Sequence, residues 1–405
     1  MNKKQRILLV ANSVPLPATD FLKYKIFGLS QIFDLHLLCW DSDENRKAFY
    51  EQYSDKLHDA KIHLFYNKWN LSTFISLLFT NLFRIIFSPF ISLPLVVKLI
   101  SAYGWDLKKL FIKFSLYFPI AKLKPDVIHF EYGTLARSFS DIKKFVPCKT
   151  TVSFRGYDLN YVGLDNIDYY DSVWQNFDGF HFLGNDLKKR ALKRGYKTGK
   201  TEILIPPAID TSFFSAHQTK KQNDKLIIIS VGRLAWKKGY EYGLQAVAIL
   251  KKKNIPFEYR IVADGDYIQP ILFAIEELGL QQDVQLIGGK SPAEIKKELA
   301  NADVFLHPAI SEGFSNAVLE AQAMGLPVIT TDADGLAENV QDGVTGFVMP
   351  VYDVSAMAEK LEWCNTNRDK LTAMGKAGIE RVRNNFRIED QMRKFEEFYK
   401  AVHES

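Results

Sequence analysis

The sequence predicts an α/β protein with two parallel-sheet domains, and three observations support this fold class. Its 405 residues are too many for one ordinary hydrophobic core and fit two domains of roughly 200 residues each. A hydrophobic fraction of 47% with 24% charged residues is typical of a globular chain. Short apolar runs alternate with longer segments of helical periodicity, and this alternation predicts parallel strands covered by helices.

The positions of the strands follow from the apolar runs. In the first half, strands are predicted at residues 6–10, 35–39, 61–66, 126–130, 149–154 and 179–183. In the second half they are predicted at residues 225–231, 258–263, 283–287, 303–307 and 327–331, followed by helices at about 354–366, 369–384 and 389–403. Residues 205–224 contain two prolines and then a polar segment, so they are the best candidate for a linker. Two similar halves around it are expected to form a cleft, with ligands at the C-terminal ends of the strands.

Composition and charge exclude several classes of protein. A net charge of +5 is mild, so nucleic acid is not an expected partner. The three cysteines are far apart and odd in number, which indicates neither a disulfide framework nor a zinc site and suits a reducing cytoplasm. The apolar run at 7–11 is stopped by Asn12 and is too short for the core of a signal peptide. We therefore interpret it as the first buried strand.

One region departs from the alternating pattern. Between residues 69 and 97 the only charged residue is Arg84, and phenylalanines recur near helical spacing at Phe74, Phe79, Phe83, Phe87 and Phe90. The uncharged stretches beside Arg84 are shorter than the roughly 20 residues that a membrane-spanning helix needs. Three interpretations remain open: helices buried against the N-terminal sheet, a transmembrane hairpin, and a surface that contacts anionic membrane through residues 69–124. Residues 68–124 carry eight basic residues against one acidic residue, which favours membrane contact.

Two glutamates flank a predicted helix start in the second half. An apolar strand leads into a loop and then into a helix that begins near Ser315 or Asn316. The N-terminus of such a helix presents unpaired N–H groups and the positive end of its dipole, which suits a pyrophosphate. Glu312 precedes the first turn, at the mouth of the expected cleft. Glu320 lies four residues after Asn316 and so on the same face, where a carboxylate can accept hydrogen bonds from vicinal ribose hydroxyls.

Two basic residues follow the first strand of the second half. Arg233 stands at the C-terminal end of that strand, and Lys238 follows five residues later, directly before Gly239 and a new helix. A guanidinium and an ammonium that converge on one point would stabilise a diphosphate leaving group, whose charge grows as the bond to it breaks. We interpret Lys237 as part of an exposed basic turn.

Both motifs resemble those of glycosyltransferase family 4, a large group of retaining enzymes with the GT-B fold. The resemblance is to members that act in bacterial exopolysaccharide and lipopolysaccharide biosynthesis. The E-x7-E element of the family matches Glu312 to Glu320, and its Gly-Arg-Leu…Lys-Gly element matches residues 232–239. The match continues through residues 325–329 and 338–347 and covers essentially all of the second half. The first half is similar more loosely, through its opening strand and residues 126–130 and 153–158.

The resemblance implies a domain organisation. Two facing Rossmann-like domains are expected, with a cleft between them. The N-terminal, acceptor-binding domain would span residues 1–205, a linker 206–224, and the nucleotide-sugar-binding domain 225–387. The C-terminal helix, at about 388–405, is expected to pack back on the N-terminal domain.

The resemblance also implies roles for residues of the second half. Arg233 and Lys238 would bind the diphosphate, Glu320 would bind the ribose, and Glu312 would approach the hydroxyls of the sugar. The loop at 288–290 falls where such enzymes pack the base. The other predicted donor-binding residues are Gly313, Phe314, Ser315, Asn316 and Gly288. The chemistry implied needs no metal and no cofactor, and the donor, UDP- or GDP-linked, is a substrate. In agreement with this, the His, Asp and Glu residues of the sequence show no cluster of metal ligands.

Two segments depart from the family pattern. The first loop, residues 12–21, lacks the usual glycine pair and is closer to a subgroup of exopolysaccharide enzymes. The usual His-Gly is replaced by Arg155 and Gly156, so a permanent cation stands where a histidine helps to place the donor sugar. Arg155 and Asp158 are therefore candidate binding residues. Either Arg155 binds an acidic donor sugar or an anionic acceptor, or it pairs with Asp158.

The sequence thus predicts a retaining glycosyltransferase that moves a sugar from a nucleotide-sugar to a bacterial surface glycan on a lipid carrier. Glu312, Arg233 and Lys238 are the predicted catalytic residues. A front-face displacement is favoured because no residue is placed as a nucleophile. The expected location is the inner face of the cytoplasmic membrane. Two alternatives remain: a sugar-nucleotide epimerase or hydrolase of the same fold, and a catalytically silent scaffold subunit.

Overall fold

The strands of the first half form one parallel sheet. The structure, a computed structural model, describes residues 4–16, 20–65, 71–215 and 224–405. The strands are β1 (Arg6–Ala11), β2 (Asp34–Trp40), β3 (Lys61–Phe65), β4 (Val127–Phe130), β5 (Lys149–Phe154), β6 (Gly179–Phe182) and β7 (Thr201–Leu204). Within the described residues they pair in the order β3-β2-β1-β4-β5-β6-β7. Every pairing in the sheet is parallel.

The strands of the second half form a second parallel sheet. They are β8 (Leu226–Arg233), β9 (Phe257–Asp264), β10 (Val284–Leu286), β11 (Val304–His307), β12 (Val328–Thr331) and β13 (Gly346–Met349). In the described part of the chain their order is β10-β9-β8-β11-β12-β13, again with parallel pairings.

Helices connect the strands and end the chain. In the first half they are α1 (Asp20–Ile32), α2 (Asp43–Tyr53), α3 (Leu71–Phe87), α4 (Pro89–Tyr103), α5 (Leu107–Leu123), α6 (Gly133–Ser138), α7 (Gly156–Asn160), α8 (Asp171–Asn176) and α9 (Asn185–Lys193). In the second half they are α10 (Tyr240–Lys252), α11 (Ile268–Glu277), α12 (Pro292–Ala300), α13 (Asn316–Ala323), α14 (Val354–Thr366), α15 (Arg368–Asn385) and α16 (Ile388–Glu404).

The central strands of both sheets are buried runs of apolar residues. The side chains of β4 and β11 are buried throughout, as expected for parallel strands that are covered on both faces. Because all strands of a sheet run the same way, their carboxyl ends meet at one edge. In the first sheet that edge includes the ends of β4 and β5, directly before Glu131 and Arg155. In the second sheet it includes Arg233 and His307.

Two edge strands were not predicted. β7 has the sequence Thr-Glu-Ile-Leu and is only half-buried at the edge of the first sheet. β13 has the sequence Gly-Phe-Val-Met at the edge of the second sheet. Neither sequence contains an apolar run long enough to stand out, because an edge strand needs fewer buried side chains.

The chain divides into two compact units. Unit 1 comprises Met1–Phe182, Lys189–Ile205 and Met392–Ser405, and unit 2 comprises Leu183–Lys188 and Pro206–Gln391. The end of α16 therefore belongs to unit 1. Its Phe395 and Tyr399 contact the ring of His129 on β4 at 6.0 and 5.3 Å between centroids.

Helices α3 and α4 expose much of their apolar surface. Phe79 and Phe83 are 67% and 60% exposed, and Phe90 is 94% exposed. Complete burial of this pair against the N-terminal sheet is therefore wrong, although Leu95 and Leu99 are buried. In the described residues no single helix is long and apolar enough to cross a membrane. Phe74–Phe87 and Pro89–Tyr103 pass that test of length and composition only as a pair, with a bend of 115° between them.

Some predicted features lie outside the described residues. They are residues 17–19 of the first loop, residue 66 at the end of the third predicted strand, residues 69–70 of the aromatic region, and 216–223 of the linker.

Candidate functional site

The two motifs of the second half come together at the carboxyl edge of the second sheet. β8 ends at Arg233, and a short 3₁₀ turn follows before α10. The carbonyl of Lys237 in this turn accepts hydrogen bonds from the N–H groups of Ile310 and Ser311, at 2.9 and 3.3 Å. These bonds attach the basic turn to the loop that carries Glu312.

Gly239 permits the close approach of the turn to this loop. Its φ of +63° lies in the left-handed region, which favours glycine. A Cβ atom at this position would lie 2.2 Å from the carbonyl oxygen of Pro308. Glycine is therefore required after Lys238 both by backbone conformation and by space.

Lys238 and Glu312 form a largely buried ion pair. Each side chain is 14% exposed, and the Lys238 ammonium donates to Oε2 of Glu312. Nε2 of the buried His307 lies 3.8 Å from the same oxygen. Burial by itself raises the pKa of Glu312, but the charge of Lys238 and the contact with His307 outweigh it and hold this pKa well below its usual range. Burial lowers the pKa of His307, so its ring is neutral at pH 7.

Arg233 and Lys237 extend this cluster of charges. Arg233 is exposed at the end of β8, whereas Lys237 is half-buried. Burial lowers the pKa of Lys237, and the charges of Glu312, Lys238 and Arg233 act on it. The interpretation of Lys237 as part of an exposed turn is therefore wrong, because it is a third cation of the cluster.

Asp334 holds the loop that carries Glu312. Its Oδ2 accepts a hydrogen bond from the Ser311 hydroxyl at 2.7 Å and one from the N–H of Glu312 at 3.1 Å. The next residue, Gly335, packs so closely that a Cβ would lie 2.1 Å from the carbonyl oxygen of Gly313. Asp334 was not predicted from the sequence.

The start of α13 is held in place by hydrogen bonds from the side chain of Asn339. The Asn339 side chain accepts the N–H of Ser315 at 3.1 Å and donates to the Ser315 carbonyl at 3.0 Å. The N–H of Ser315 is therefore occupied, and the first N–H groups of α13 follow at Asn316. Phe314 is buried against Phe386, with ring centroids 5.8 Å apart. The Phe314 side chain therefore anchors the loop that carries Glu312.

The remaining predicted donor residues lie along the same part of unit 2. Glu320 is half-buried on α13, one turn beyond Asn316. Gly288 follows β10 with a φ of +80°, and no atom lies within 4 Å of where its Cβ would be. The neighbouring Gly289 packs on Asp264, the last residue of β9, at 3.2 Å between the built Cβ and the Asp264 Cβ. The loop at 288–290 is thus two strands from Arg233 at the carboxyl edge.

Arg155 forms its ion pair with Glu131 and not with Asp158. Nη2 of Arg155 donates to Oε2 of Glu131 at 2.8 Å, and Nε donates to the Glu131 carbonyl at 3.0 Å. The Arg155 side chain is 17% exposed, whereas Glu131 is fully buried. Of the two alternatives for Arg155, the pairing of its guanidinium with Asp158 is therefore corrected to a pairing with Glu131. Glu131 was missed, although a carboxylate directly after the predicted strand 126–130 was a possible signal.

Lys25 is the second cation on Glu131. Its ammonium lies 2.6 Å from Oε1 of Glu131 and 3.8 Å from the ring centroid of Phe395. Burial lowers the pKa of Lys25 to about 8, and the nearby Glu131 carboxylate opposes this change. The pKa of Glu131 is lowered despite its burial, because two cations face it. No local sequence pattern marks Lys25, which sits 106 positions before its partner.

Asp158 has a backbone role. It is fully buried, and its two oxygens accept the N–H groups of Thr134 and Arg155 at 3.1 and 3.0 Å. Burial raises the pKa of Asp158, and these bonds oppose the rise. Asp158 thus fixes the backbone from which the Arg155 side chain projects.

A chain of buried polar side chains runs beneath Glu131. His129 lies 2.8 Å from the hydroxyls of Thr151 and Ser153, and Ser153 lies 2.7 Å from His181. Burial lowers the pKa of both histidines, so both rings are neutral at pH 7. Among the described residues, no group of three or more His, Cys, Asp or Glu side chains could hold a metal ion.

The arrangement in unit 2 suits a ligand that combines an anion with hydroxyl groups. The cations Lys237 and Lys238 lie near the carboxylates Glu312 and Asp334, with Arg233 close to Lys237, beside the N-terminus of a helix. An anion that attracts Lys238 would release Glu312 to accept hydrogen bonds. The structure brings Lys238 and Glu312 into contact, with Arg233 nearby, while Arg155 and Asp158 belong to the carboxyl edge of the other sheet.

A comparison with protein families found a match for the second half of the chain. Residues 213–381 match the family of group 1 glycosyl transferases. This stretch contains Arg233, Lys238, Glu312 and Glu320. The resemblance inferred from these motifs is therefore confirmed for the second half, and the finer assignment to family 4 remains a prediction.

Particular relatives are named as enzymes of bacterial polysaccharide biosynthesis. The colanic acid biosynthesis glycosyltransferase WcaL of Escherichia coli is 34% identical over 185 residues, which cover 44% of this chain and 46% of WcaL. The amylovoran biosynthesis glycosyltransferase AmsK of Erwinia amylovora is 29% identical over 241 residues, which cover 57% of this chain and 59% of AmsK. The chain thus spans about half the length of the curated relatives it matches.

Solved structures match the whole chain. A glycosyltransferase from Rickettsia africae has a TM-score of 0.74 at 19% identity and covers 99% of both chains. HepE of Anabaena, solved with UDP and glucose, has a TM-score of 0.72 at 15% identity and covers 98% of this chain and 100% of its own. These likenesses confirm the predicted fold class, GT-B with two Rossmann-like domains.

Proposed function

We propose that this chain is a retaining glycosyltransferase that uses a nucleotide-sugar donor bound in unit 2. The observation that carries the proposal is the Lys238–Glu312 ion pair beside the start of α13, in a stretch that matches group 1 glycosyl transferases. UDP- and GDP-linked sugars are the favoured donors. HepE was solved with UDP, and one relative of this chain is named as GDP-mannose-dependent.

In the proposed mechanism, Lys238 exchanges partners when the donor binds. Its ammonium and the Arg233 guanidinium stabilise the diphosphate, together with the N–H groups at the start of α13. Glu312 is then free to accept hydrogen bonds from the hydroxyls of the sugar, and Glu320 accepts those of the ribose. Because the charge on the departing phosphate increases in the transition state, fixed cations lower the barrier more than they stabilise the bound donor.

The proposed displacement takes place on one face of the sugar. A bond forms between the acceptor oxygen and the anomeric carbon as the bond from that carbon to the phosphate oxygen breaks. The proton of the acceptor hydroxyl passes to the departing phosphate oxygen. The anomeric configuration is thus retained without a covalent enzyme intermediate.

The proposed acceptor is a bacterial surface glycan on a lipid carrier. The names of the relatives, which refer to colanic acid, amylovoran and capsular polysaccharide, support this substrate class. We place the acceptor at unit 1, where Arg155 stands at the carboxyl edge with its guanidinium paired to Glu131. One net positive charge remains there, because Lys25 and Arg155 share the single Glu131 carboxylate, and an anionic group of the acceptor would be attracted to it.

A donor-binding experiment tests the proposal. Thermal unfolding is followed with UDP-, GDP-, ADP- and CMP-linked sugars at about 100 times their dissociation constants, where binding adds about 2.7 kcal/mol to the free energy of unfolding. One nucleotide class should stabilise the protein. If none does, the proposal is wrong. Product formation from the donor alone would favour the epimerase or hydrolase alternative, and binding without turnover on any acceptor would favour the silent subunit.

The role of Glu312 is tested by substitution. We expect Glu312→Ala to reduce transfer about 100-fold or more, as for loss of one transition-state contact, while stabilisation by the donor is largely retained. The matched control is Glu294→Ala, because Glu294 is an exposed residue that caps α12. Unchanged transfer by Glu312→Ala would contradict the role.

We further propose that the chain contacts the inner face of the cytoplasmic membrane through the exposed apolar face of α3 and α4 and the basic residues around it. Apolar side chains such as Phe83 and Phe90 would enter the acyl boundary, and lysines would meet anionic head groups. Flotation with vesicles that contain anionic lipid should carry the protein upward, less so at high salt. This contact would be excluded if flotation were the same without anionic lipid. It would also be excluded if the double substitution Phe83→Ser with Phe90→Ser left flotation unchanged.

A further inference from the structure

A group of exposed aromatic and aliphatic side chains follows β5 in unit 1. Tyr157 lies in α7 and Tyr161 directly follows this helix, with ring centroids 5.5 Å apart and an angle of 27° between the ring planes. Leu164 and Ile167 stand on the next loop. All four side chains are more than half exposed, and we call them the tyrosine surface. The tyrosine surface belongs to unit 1, whereas the predicted donor residues Arg233, Lys238, Glu312 and Glu320 belong to unit 2.

The backbone beneath the tyrosine surface is held by a buried arginine. Nη1 of Arg194 donates to the carbonyls of Asp158 and Leu159 at 3.0 and 3.2 Å. Nη2 of Arg194 donates to the carbonyl of Gly163 at 2.8 Å, on the other side of Tyr161. A surface that is fixed before binding loses little conformational freedom when a ligand binds. These hydrogen bonds therefore indicate a preorganised surface, although its side chains are exposed.

The tyrosine surface lies at the carboxyl edge of the first sheet. β5 ends at Phe154, and Tyr157 follows three residues later. Three residues span at most about 11 Å, so Tyr157 stays close to the end of the strand. Ligands of parallel α/β sheets bind at this edge. Arg155 lies two residues before Tyr157, so the tyrosine surface adjoins the proposed acceptor region.

The composition of the tyrosine surface suits a pyranose ring. The face of an aromatic ring carries partial negative charge, which attracts the C–H groups on the less polar face of a sugar. Tyrosine offers this area with only two rotatable bonds, and the ring of Tyr161 already orients that of Tyr157. The exposed carboxylates of Asp165 and Asp168, on the same loop, can accept hydrogen bonds from sugar hydroxyls.

The charge of this segment argues against a membrane as the ligand. Residues 156–170 contain three aspartates and no lysine or arginine. Asp165 and Asp168 would repel anionic head groups, unlike the basic residues around α3 and α4. A neutral ligand with hydroxyl groups is therefore favoured over an anionic one.

From these observations we infer that the tyrosine surface binds a neutral sugar residue of the acceptor glycan. One face of a pyranose ring packs on Tyr157, and hydroxyl groups of the sugar bond to Asp165 or Asp168. An anionic group of the acceptor at Arg155 and the neutral sugar are then different parts of one molecule. The inference rests on the proposed function for the role of the glycan as acceptor, whereas the binding of an oligosaccharide can be measured without any transfer.

Titration of the full chain with neutral tetrasaccharides tests the site. The probes are the β-1,4-linked tetramers of glucose, galactose, mannose and N-acetylglucosamine, and binding is followed by saturation-transfer NMR. We expect at least one probe to bind saturably. Tyr157→Ala should weaken this binding about tenfold or more, as for the loss of other ring-stacking contacts, whereas Tyr157→Phe and Tyr157→Trp should retain most of it. The inference is wrong if no probe binds, or if Tyr157→Ala has no effect.

A matched substitution in unit 2 controls for the loss of an exposed tyrosine. Tyr352 is also more than half exposed, and its ring also contacts that of a second tyrosine, Tyr242. Tyr352→Ala should bind the tetrasaccharide as the wild type does. Equal weakening by Tyr157→Ala and Tyr352→Ala would contradict the site.

The preference for a neutral sugar is tested by oxidation of the bound tetrasaccharide to a carboxylate at C6. We expect the oxidised probe to bind more weakly, because Asp165 and Asp168 repel its charge. The double substitution Asp165→Asn with Asp168→Asn should reduce this difference. Tighter binding of the oxidised probe to the wild type would overturn the preference.

Other occupants of the tyrosine surface predict different results. If it contacted a membrane, Tyr157→Ala would reduce vesicle flotation. If it joined two copies of the chain, Tyr157→Ala would lower the mass measured by sedimentation. Either outcome overturns the inference. Stabilisation by nucleotide-sugars should be the same in Tyr157→Ala and the wild type, and its absence from both would instead count against the proposed function.

Discussion

At the scale of single residues, Glu131 and Glu312 are two buried carboxylates that are stabilised in the same way. Each is almost fully enclosed and each keeps its charge because cations face it, so the pKa of each is lowered despite desolvation. They differ in what surrounds them. Glu131 is held between two cations of its own unit, whereas the partner of Glu312 also belongs to the predicted diphosphate site.

Removal of the Glu131 charge should destabilise unit 1. Glu131→Gln would leave Lys25 and Arg155 close together with no carboxylate between them, and breaking a buried pair in this way costs about 3–5 kcal/mol. Chemical denaturation measures the change. The matched control is Glu362→Gln, which removes the exposed pair with Lys253 and should cost no more than about 1 kcal/mol. A similar cost for both substitutions would refute a special role for Glu131.

Lys25 predicts a dependence of stability on pH. Burial lowers its pKa from 10.5 to about 8, so between pH 8 and 10 the unfolded chain binds more protons at this position than the folded chain. The contribution of Lys25 to the free energy of unfolding therefore rises with pH in this window and is smallest below pH 8. The free energy of unfolding is measured against pH for the wild type and for Lys25→Met. The difference between the two curves gives the contribution of Lys25, apart from those of the facing groups Glu131, Arg155, His129, His181 and Tyr399. A flat difference from pH 8 to 10 would disprove the lowered pKa.

At the scale of elements, the position of Lys238 depends on how closely the 3₁₀ turn can approach the strand exit at Pro308. The approach is possible because the residue after Lys238 is Gly239, which has no Cβ to collide with the Pro308 carbonyl oxygen. Other glycines with a similar positive φ stand in open space. Gly279, with a φ of +60°, has no atom within 4 Å of the position that its Cβ would take.

This pair of glycines allows conformation and space to be separated. Gly279→Ala should cost about 1 kcal/mol, from its positive φ alone. Gly239→Ala should cost clearly more, because its Cβ would meet the Pro308 carbonyl, and it should also weaken donor binding by moving Lys238. Denaturation curves and donor titrations of the two variants provide the comparison. Equal costs with unchanged donor affinity would be inconsistent with this account.

The sequence predicted the elements best where a parallel strand is buried. β5 was predicted at the six residues that it occupies, and β11 within one residue, because buried parallel strands are short apolar runs between helical segments. Edge strands β7 and β13 lack that signal. The lysine–glutamate pairs Lys25–Glu131 and Lys238–Glu312 were also missed, since local periodicity carries no information about partners 106 and 74 positions apart.

At the scale of the whole molecule, the end of the chain completes the core of the first unit. Phe395 lies 4.9 Å from the ring of His181 and 6.0 Å from that of His129, and Met392 fills the space that Gly28 leaves open. These contacts join positions that are separated by more than 200 residues in sequence.

Truncation of one aromatic side chain in α16 should therefore affect unit 1 strongly. Phe395→Ala is expected to lower the stability of unit 1 by about 3–5 kcal/mol, as for other buried aromatic side chains, with no direct effect on donor binding in unit 2. Hydrogen exchange resolves the two units. Increased exchange in β4 and β6 with unchanged exchange in β8 and β11 is the expected pattern, and a uniform increase would argue against it.

The return of α16 to unit 1 has a consequence for synthesis on the ribosome. Domains generally fold in the order in which they emerge, the N-terminal one first. Here the strands of unit 1 emerge early, but Phe395 and Tyr399 emerge only after all of unit 2. While the second half is translated, the face of the nascent first sheet that carries His129 and His181 therefore remains uncovered by α16.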